Sequence, residues 1–457
     1  MNIGSVGLID KINSCFGFFD QVFDKTGGRA RFFKESAKLF VANRLEKCVG
    51  INRLNELYSQ EFFELLGFKG KFGERSLYRN LERIGQKYPV LLERYQILIK
   101  KHNLVSQEQF VDFSSSYFEG TKSSLGKLGY SRDSQPGKQQ LTFGISTGIN
   151  EIPSALTIQK GNLQDKRHMK KIFPFLSKIL NPNSLLIFDC GANTKNNKKK
   201  IRKMGFHYLT LKPKKRTSYK YFMKKFFDSK TQKILMNCKE YECVKVIEEG
   251  QVNYVFFSKK LQVDQLKKKQ KKFERELQKN NSKLSKVIKG KILGKLASSH
   301  GWIDLVGFLQ KTHEKIKNPF ITGLEGFFIL ESSIDCEPEK VLKLYKEKDK
   351  AEKLIRDMKE GTELRPIRHW SKFAVIGYLF IVFLTNCLIS LTHFLTKNPL
   401  VKNLKVLKKY LNNLTLTVIY PKKWFRFSVL SNISPETESI FGGFLKKYEE
   451  NPPDFRW

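Results

Sequence analysis

The sequence predicts an α/β protein in which a helical N-terminal domain leads into a core of alternating strands and helices, interrupted once by an inserted segment. Three observations predict it. Apolar residues recur every three or four positions through residues 1 to about 105, the helical period. From about 106 the pattern changes to short apolar runs bounded by polar turns and separated by helical stretches. Between about 213 and 324 a strongly basic stretch breaks that alternation before strand and helix patterns return.

The bulk numbers set the frame. A chain of 457 residues with 40% hydrophobic content and 38 phenylalanines is long and apolar enough for several domains around sizeable cores. Its formal charge of +40 (84 basic minus 44 acidic residues) calls for a polyanionic partner, with DNA, RNA and an anionic membrane surface as candidates. Lysine runs are spread along nearly the whole chain, which favours a long nucleic-acid track over one membrane patch. The seven cysteines include no C-x-x-C pair, and Cys238 and Cys243, the nearest two, have no histidine beside them. That argues against a zinc site and suits a reducing cytoplasm. No signal peptide is expected, because the first twenty residues lack a basic stretch followed by an apolar one.

Taken in order, the segments 28–58 and 74–103 read as helices, the second carrying Arg75, Arg79 and Arg83 as one basic stripe. That stripe is either a DNA-contacting face or a solvated one. "QFVDF" (109–113), "QLTFGIS" (140–146) and "PSALTIQ" (153–159) read as strands. A helix at about 165–180, the strand "SLLIFD" (184–189), the basic helix "NNKKKIRKMG" (196–205) and the strand "HYLTLK" (207–212) come next. The insertion holds a basic, aromatic-rich stretch (212–227), a hairpin (241–258) turning at Glu249 and Gly250, and a charged helix (265–284). His300, His313 and the lysines of that helix read as solvated surface or non-specific phosphate contacts. "LEGFFILESS" (324–333) returns to strand pattern. The run "FAVIGYLFIVFL" (373–384) continues to Phe394 diluted by Thr385, Asn386, Ser390, Thr392 and His393. It falls short of the roughly 20 apolar residues of a membrane span and reads as a buried core helix. The predicted domains are 1–105 (helical, DNA-binding), 106–212 (core, first part), 213–324 (insertion), 325–430 (core, second part) and 431–457 (a short irregular tail).

Three carboxylates stand out. Asp112 and Asp189 each lie in or at the end of an apolar strand pattern. Downstream, Tyr345, Lys348, Glu352 and Lys359 fall within an arc of roughly 60° if the segment is one regular helix. Ala351, Leu354, Ile355 and Met358 form an apolar stripe beside that arc. Three strands, helix, strand, helix and strand, with aspartates on the first and fourth strands, is the order of a ribonuclease H-like fold. Two strand-borne aspartates and a helix-borne glutamate are what a two-metal phosphoryl-transfer centre requires. Carboxylates that close together repel unless a cation sits between them, and Mg²⁺ prefers oxygen ligands.

These residues resemble the DDE transposases of bacterial and archaeal insertion sequences, in the branch whose signature is Y-x-x-R-x-x-x-E-x-x-x-x-x-x-K. Tyr345, Lys348, Glu352 and Lys359 match its spacing, with lysine in place of arginine. Further similar motifs are "DFSSSYFE" (112–119), "GYSRDSQPGKQQL" (129–141), "GNLQD" (161–165) and "LRPIRHW" (364–370), so the resemblance spans about 105–395. It implies a DNA transposase that cuts at terminal inverted repeats and joins the freed ends to target DNA. Asp112, Asp189 and Glu352 would be catalytic and hold two Mg²⁺ ions, with Mn²⁺ able to replace them. Tyr345, Lys348 and Lys359 would contact double-stranded DNA, although a lysine at 348 lacks the bidentate fork of arginine. A prokaryotic, cytoplasmic, nucleoid-associated homodimer acting on DNA and not on a membrane is the implied setting. The alternative is a transposase-derived DNA-binding protein without catalysis.

Overall fold

In the computed structural model, residues 1–24, 30–70, 72–248, 250–292, 318–422 and 425–455 are described. The chain is mixed α/β and divides into two units, Met1–Tyr208 with Lys343–Trp457, and Leu209–Leu342. His300, His313 and Glu249 of the hairpin turn lie outside the described residues.

The first unit begins with helices α1 (Gly4–Phe16), α2 (Phe18–Phe23), α3 (Phe33–Leu45), α4 (Leu54–Leu57), α5 (Gln60–Leu65) and α6 (Glu74–Lys101). Strands β1 (Glu108–Tyr117), β2 (Gln140–Gly148) and β3 (Pro153–Lys160) form an antiparallel meander. Helix α7 (Asp165–Leu176) then crosses back to β4 (Leu185–Phe188), which runs parallel to β1 and gives the order β3-β2-β1-β4. Helix α8 (Lys195–Lys203) comes after it. Val111, Phe113, Met169, Ile172, Phe173, Leu186, Phe188 and Ile201 form one continuous core cluster. Every residue of β2 is buried, a strand covered on both faces.

The second unit carries β5 (His207–Leu211) from Leu209 onward, α9 (Arg216–Phe227), β6 (Gln232–Met236), β7 (Lys239–Glu248), β8 (Gln251–Phe257), α10 (Lys259–Ile292) and β9 (Phe327–Ser332). Its strands run β5-β9-β8-β7-β6, all antiparallel. Tyr219, Phe222 and Phe226 of α9 pack with Val244, Val255, Phe327 and Ile329. Three aromatics of the basic 212–227 stretch thus build a core, while Tyr221, Phe227 and most of its lysines are exposed. The unit's bounds are wider than the insertion read from sequence because β5 pairs with β9, and β9 pairs with β8 of the hairpin. Chain pattern marks where charge runs begin; strand pairing decides which unit they join.

The chain returns to the first unit within α11 (Pro338–Lys346), from Lys343 onward, and then forms α12 (Asp349–Arg356), α13 (Lys372–Thr396), α14 (Leu404–Asn413), the hairpin β10 (Thr415–Lys422) and β11 (Phe425–Ser431), α15 (Pro435–Phe441) and α16 (Lys447–Glu450). Helix α13 is the apolar run. It is long and apolar enough to cross a membrane, yet 78% of its most apolar window is buried. It lies along α6, and the approach is close enough to require glycine on both helices. A Cβ on Gly85 would come 1.8 Å from the Phe373 carbonyl oxygen, and one on Gly377 2.1 Å from that of Leu81. We predict that Gly85→Ala and Gly377→Ala each lower stability by about 3 kcal/mol in thermal unfolding, since the helices must part. Gly120→Ala, with nothing near its Cβ position, should change it by less than about 0.5 kcal/mol. The N-terminal helices therefore belong to the first unit's packing.

The tail expected to be irregular is folded. Ser434 caps α15 by accepting from the Thr437 N–H at 3.2 Å, and Gly442 ends it in a left-handed turn. Ile440, Phe441 and Leu445 are buried, Lys11 of α1 donates to the Ile440 carbonyl at 2.6 Å, and the Tyr448 hydroxyl donates to Asp10 at 2.6 Å. The sequence signals for this fold are the cap, Pro435 and the paired glycines.

One buried acid of this helical region makes its own contribution to the pH response. Glu46, 5% exposed, accepts a hydrogen bond from the Ser5 hydroxyl, and its other oxygen has no partner. Burial pushes its carboxyl up to about 7. The folded state therefore holds this proton more tightly than the unfolded chain, so the contribution of Glu46 to stability is fully present below about pH 4.5 and is lost as pH rises through about 7. In urea unfolding, the stability of the wild type relative to Glu46→Gln should fall by about 2 kcal/mol between pH 5 and pH 8.

Candidate active site

Parallel pairing sets Val111 of β1 opposite Phe188 of β4. The next residues along, Asp112 and Asp189, are therefore neighbours where β4 ends, on strands about 4.8 Å apart. Asp112 Oδ1 accepts from the Phe113 N–H at 2.9 Å. Asp189 Oδ1 accepts from the Cys190 N–H at 2.8 Å, capping the short turn Cys190–Ala192. Helix α12 packs against β1 and β2, with Ala351, Leu354 and Ile355 buried. It carries Glu352, whose carboxylate stays 55% exposed.

Between these acids stands Lys348. Its side chain is 9% exposed, and Nζ donates to Glu352 Oε1 at 2.6 Å. Burial works against its charge, but Asp112, then Glu352 and Asp189, outweigh that and hold the ammonium above the ordinary lysine range. Asp112 shows the reverse balance: burial pushes its carboxyl up, Lys348 opposes this, and Glu352 adds to it. The Tyr345 hydroxyl donates to Asp189 Oδ1 at 3.3 Å. Burial, and next the Asp189 charge, push this phenol up, so it stays a protonated donor at neutral pH.

Five of the six residues singled out from sequence are thus brought together: Asp112, Asp189, Glu352, Tyr345 and Lys348. Lys359 is not among them. The arc of roughly 60° assumed one regular helix. The segment is instead α11, a turn through Glu347 and Lys348, α12, and a π-turn over Asp357–Gly361. A π-turn has more residues per turn than an α-helix and re-aims the side chains after it. Lys359 Nζ meets Asp133 Oδ1 at 2.7 Å, with the two side chains 8% and 1% exposed. Arg365 Nη1 reaches the same oxygen at 2.8 Å.

The residue next to Asp133 joins the other side of the site. Arg132 Nη2 meets both carboxylate oxygens of Asp165, at 2.7 and 2.6 Å, and Nη1 donates to the Phe113 carbonyl. Gly191 lies against this pair: a Cβ there would come 2.7 Å from Asp165 Oδ2. A cleft of about 460 Å³ opens beside it, lined by Ser115, Tyr130, Arg132, Asn162, Asp165 and Gly191 among others. In the sequence, Arg132, Asp133 and Asp165 occur inside the motifs with no role of their own. Their signal is charge within otherwise small, turn-forming loops.

The donor set has the oxygen chemistry Mg²⁺ takes. Among the described residues no three His, Cys, Asp or Glu side chains form a metal-holding group, and Glu352 pairs with the Lys348 ammonium. That ammonium is the cation whose charge acts on all three carboxylates.

No protein-family model and no curated protein matches the chain. Among solved structures it is similar to the piggyBac transposase in its synaptic complex with hairpin DNA, at 9% identity and a TM-score of 0.45, covering 89% of this chain and 80% of that one. At this score the likeness bears on neither residues nor chemistry.

Proposed function

We propose that the protein is a DNA transposase of the DDE type, cutting at terminal inverted repeats and joining the freed ends to target DNA. The observation that carries the reading is the set of Asp112, Asp189 and Glu352 facing one buried lysine in one unit. The order β3-β2-β1-β4, with Asp112 on β1 and Asp189 at the end of β4, supports a ribonuclease H-like core. The charge of +40 supplies the affinity for DNA, and the cleft with Arg132 beside the acids suits a phosphate backbone. Mg²⁺ is the proposed cofactor, and joining two ends in concert implies a dimer on DNA. The proposed setting is the cytoplasm of a prokaryote.

The chain's own residues have distinct parts. Asp112, Asp189 and Glu352 supply negative charge where a phosphoryl centre reacts. Tyr345 orients Asp189 through its hydroxyl, and Lys348 keeps the acids charged without mutual repulsion. The test incubates the purified protein with the inverted repeats that flank its gene and a target duplex, with Mg²⁺. Cleaved and joined products are expected. One observation favours the second reading, a transposase-derived binding protein without catalysis: the buried Lys348 ammonium already pairs with Glu352 and feels the charge of Asp112 and Asp189. Tight, salt-sensitive binding of the repeats with no cleavage in Mg²⁺ or Mn²⁺ would establish that reading.

A further inference from the structure

We infer that Asp133 and Lys359 are positioning residues, a buried pair that fixes the segment bearing Glu352 against the strand bearing Asp112, and that Lys359 does not contact DNA. The inference rests on the proposed transposase reading, and it departs from the role that the sequence resemblance gives to Lys359.

The geometry comes from a chain of ion pairs within the first unit. Asp133 accepts from Lys359 at 2.7 Å and Arg365 at 2.8 Å, both just beyond α12. Its side chain is 1% exposed, and the Lys359 ammonium is out of reach of a surface phosphate at 8% exposure. The residue before it, Arg132, is tied to the Phe113 carbonyl, next to Asp112, and to Asp165, which abuts Gly191 two positions after Asp189. Beyond α12, the Ile367 N–H donates to the Tyr117 carbonyl at 2.9 Å, and the Glu119 N–H donates to the Ile367 carbonyl at 3.0 Å. The loop 131–135 is thereby a brace between the elements that carry all three acids. Glu352 sits on a short helix preceded by a turn and followed by a π-turn, so its carboxylate depends on what holds both ends. Lys348 holds the first; Asp133 holds the second.

Why a charged pair should be used here is explained by direction. Apolar packing fixes a helix against a sheet but leaves sliding along it cheap, whereas a buried carboxylate with two cations specifies one placement. Removing Asp133 leaves the Lys359 ammonium buried without its partner, and removing Lys359 leaves Asp133 held by Arg365 alone, so both single changes should loosen the same brace and misplace Glu352.

The test measures affinity for end DNA, its salt dependence, and single-turnover cleavage for Lys359→Met, Asp133→Asn, the double variant and Lys359→Arg. Thermal unfolding is followed in parallel, and rates are taken well below each midpoint. Positioning predicts that Lys359→Met and Asp133→Asn each slow cleavage about 10²-fold, the scale of a 1 Å misplacement. The double variant should be no slower than either single one, Lys359→Arg should recover most of the rate, and DNA affinity should stay within about twofold with an unchanged salt slope. A tenfold loss of DNA affinity in Lys359→Met, with the salt slope reduced by about one and no such change in Asp133→Asn, would overturn the inference alone, since it marks a phosphate contact. A wild-type protein that cuts no DNA overturns the transposase reading and the inference with it.

Discussion

Asp112→Asn, Asp189→Asn and Glu352→Gln should each reduce single-turnover cleavage of end DNA by at least about 10³-fold, the scale on which single catalytic groups act. DNA affinity should remain within about twofold, because the phosphate-neutralising charge lies elsewhere on the chain. The register that sets Val111 opposite Phe188 makes the two aspartates neighbours, and α12 brings Glu352 over β1. Three groups acting as one unit should show non-additive losses, so a double variant falls no further than a single one. The Glu352 side chain is exposed, and its replacement should leave the midpoint of thermal unfolding almost unchanged. Gel-based cleavage assays and filter binding at matched salt separate the two effects.

The second large effect concerns Lys348. Its ammonium stands among carboxylates that a divalent cation would also use, so lysine and ion compete for one place. Two unit charges about 4 Å apart interact by about 4 kcal/mol at an effective dielectric of 20, and a third of that is tenfold in affinity. Mn²⁺ binding by the DNA-free protein, followed by electron paramagnetic resonance, should therefore tighten at least about tenfold in Lys348→Met. The gain should vanish when Asp112→Asn is added. Equal Mn²⁺ affinity in wild type and Lys348→Met would show that the lysine does not hold that place.

Much of this was legible in the sequence, for identifiable reasons. The strands β1 to β4 could be read because each is a short apolar run closed by polar or glycine-containing turns. Asp112 and Asp189 stand out because a charged residue on or at the end of such a run has few structural uses. The apolar stripe Ala351, Leu354, Ile355 and Met358 is buried as its spacing implied. Lys359 escaped because periodicity presumes a regular helix, and neither the break before Asp349 nor the π-turn over Asp357–Gly361 changes residue spacing. Asp133 escaped for a different cause: its partners Lys359 and Arg365 are more than 220 positions away, and a buried ion pair leaves no local pattern. The tail's polar ending "NPPDFRW" suggests an irregular segment, while the signals of its folding are local ones, the Ser434 cap and the Gly442–Gly443 pair.

The central claim, that Asp112, Asp189 and Glu352 form one cation-using centre on DNA, is tested most directly by metal-directed cleavage of the protein itself. Fe²⁺ is added in place of Mg²⁺ to the protein bound to its end DNA, and peroxide and ascorbate then cut the backbone beside the bound ion. The account predicts three cuts, near residues 112, 189 and 352, all lost together in Asp189→Asn and suppressed by excess Mg²⁺. Cuts confined to one of these segments, or placed elsewhere on the chain, would contradict it.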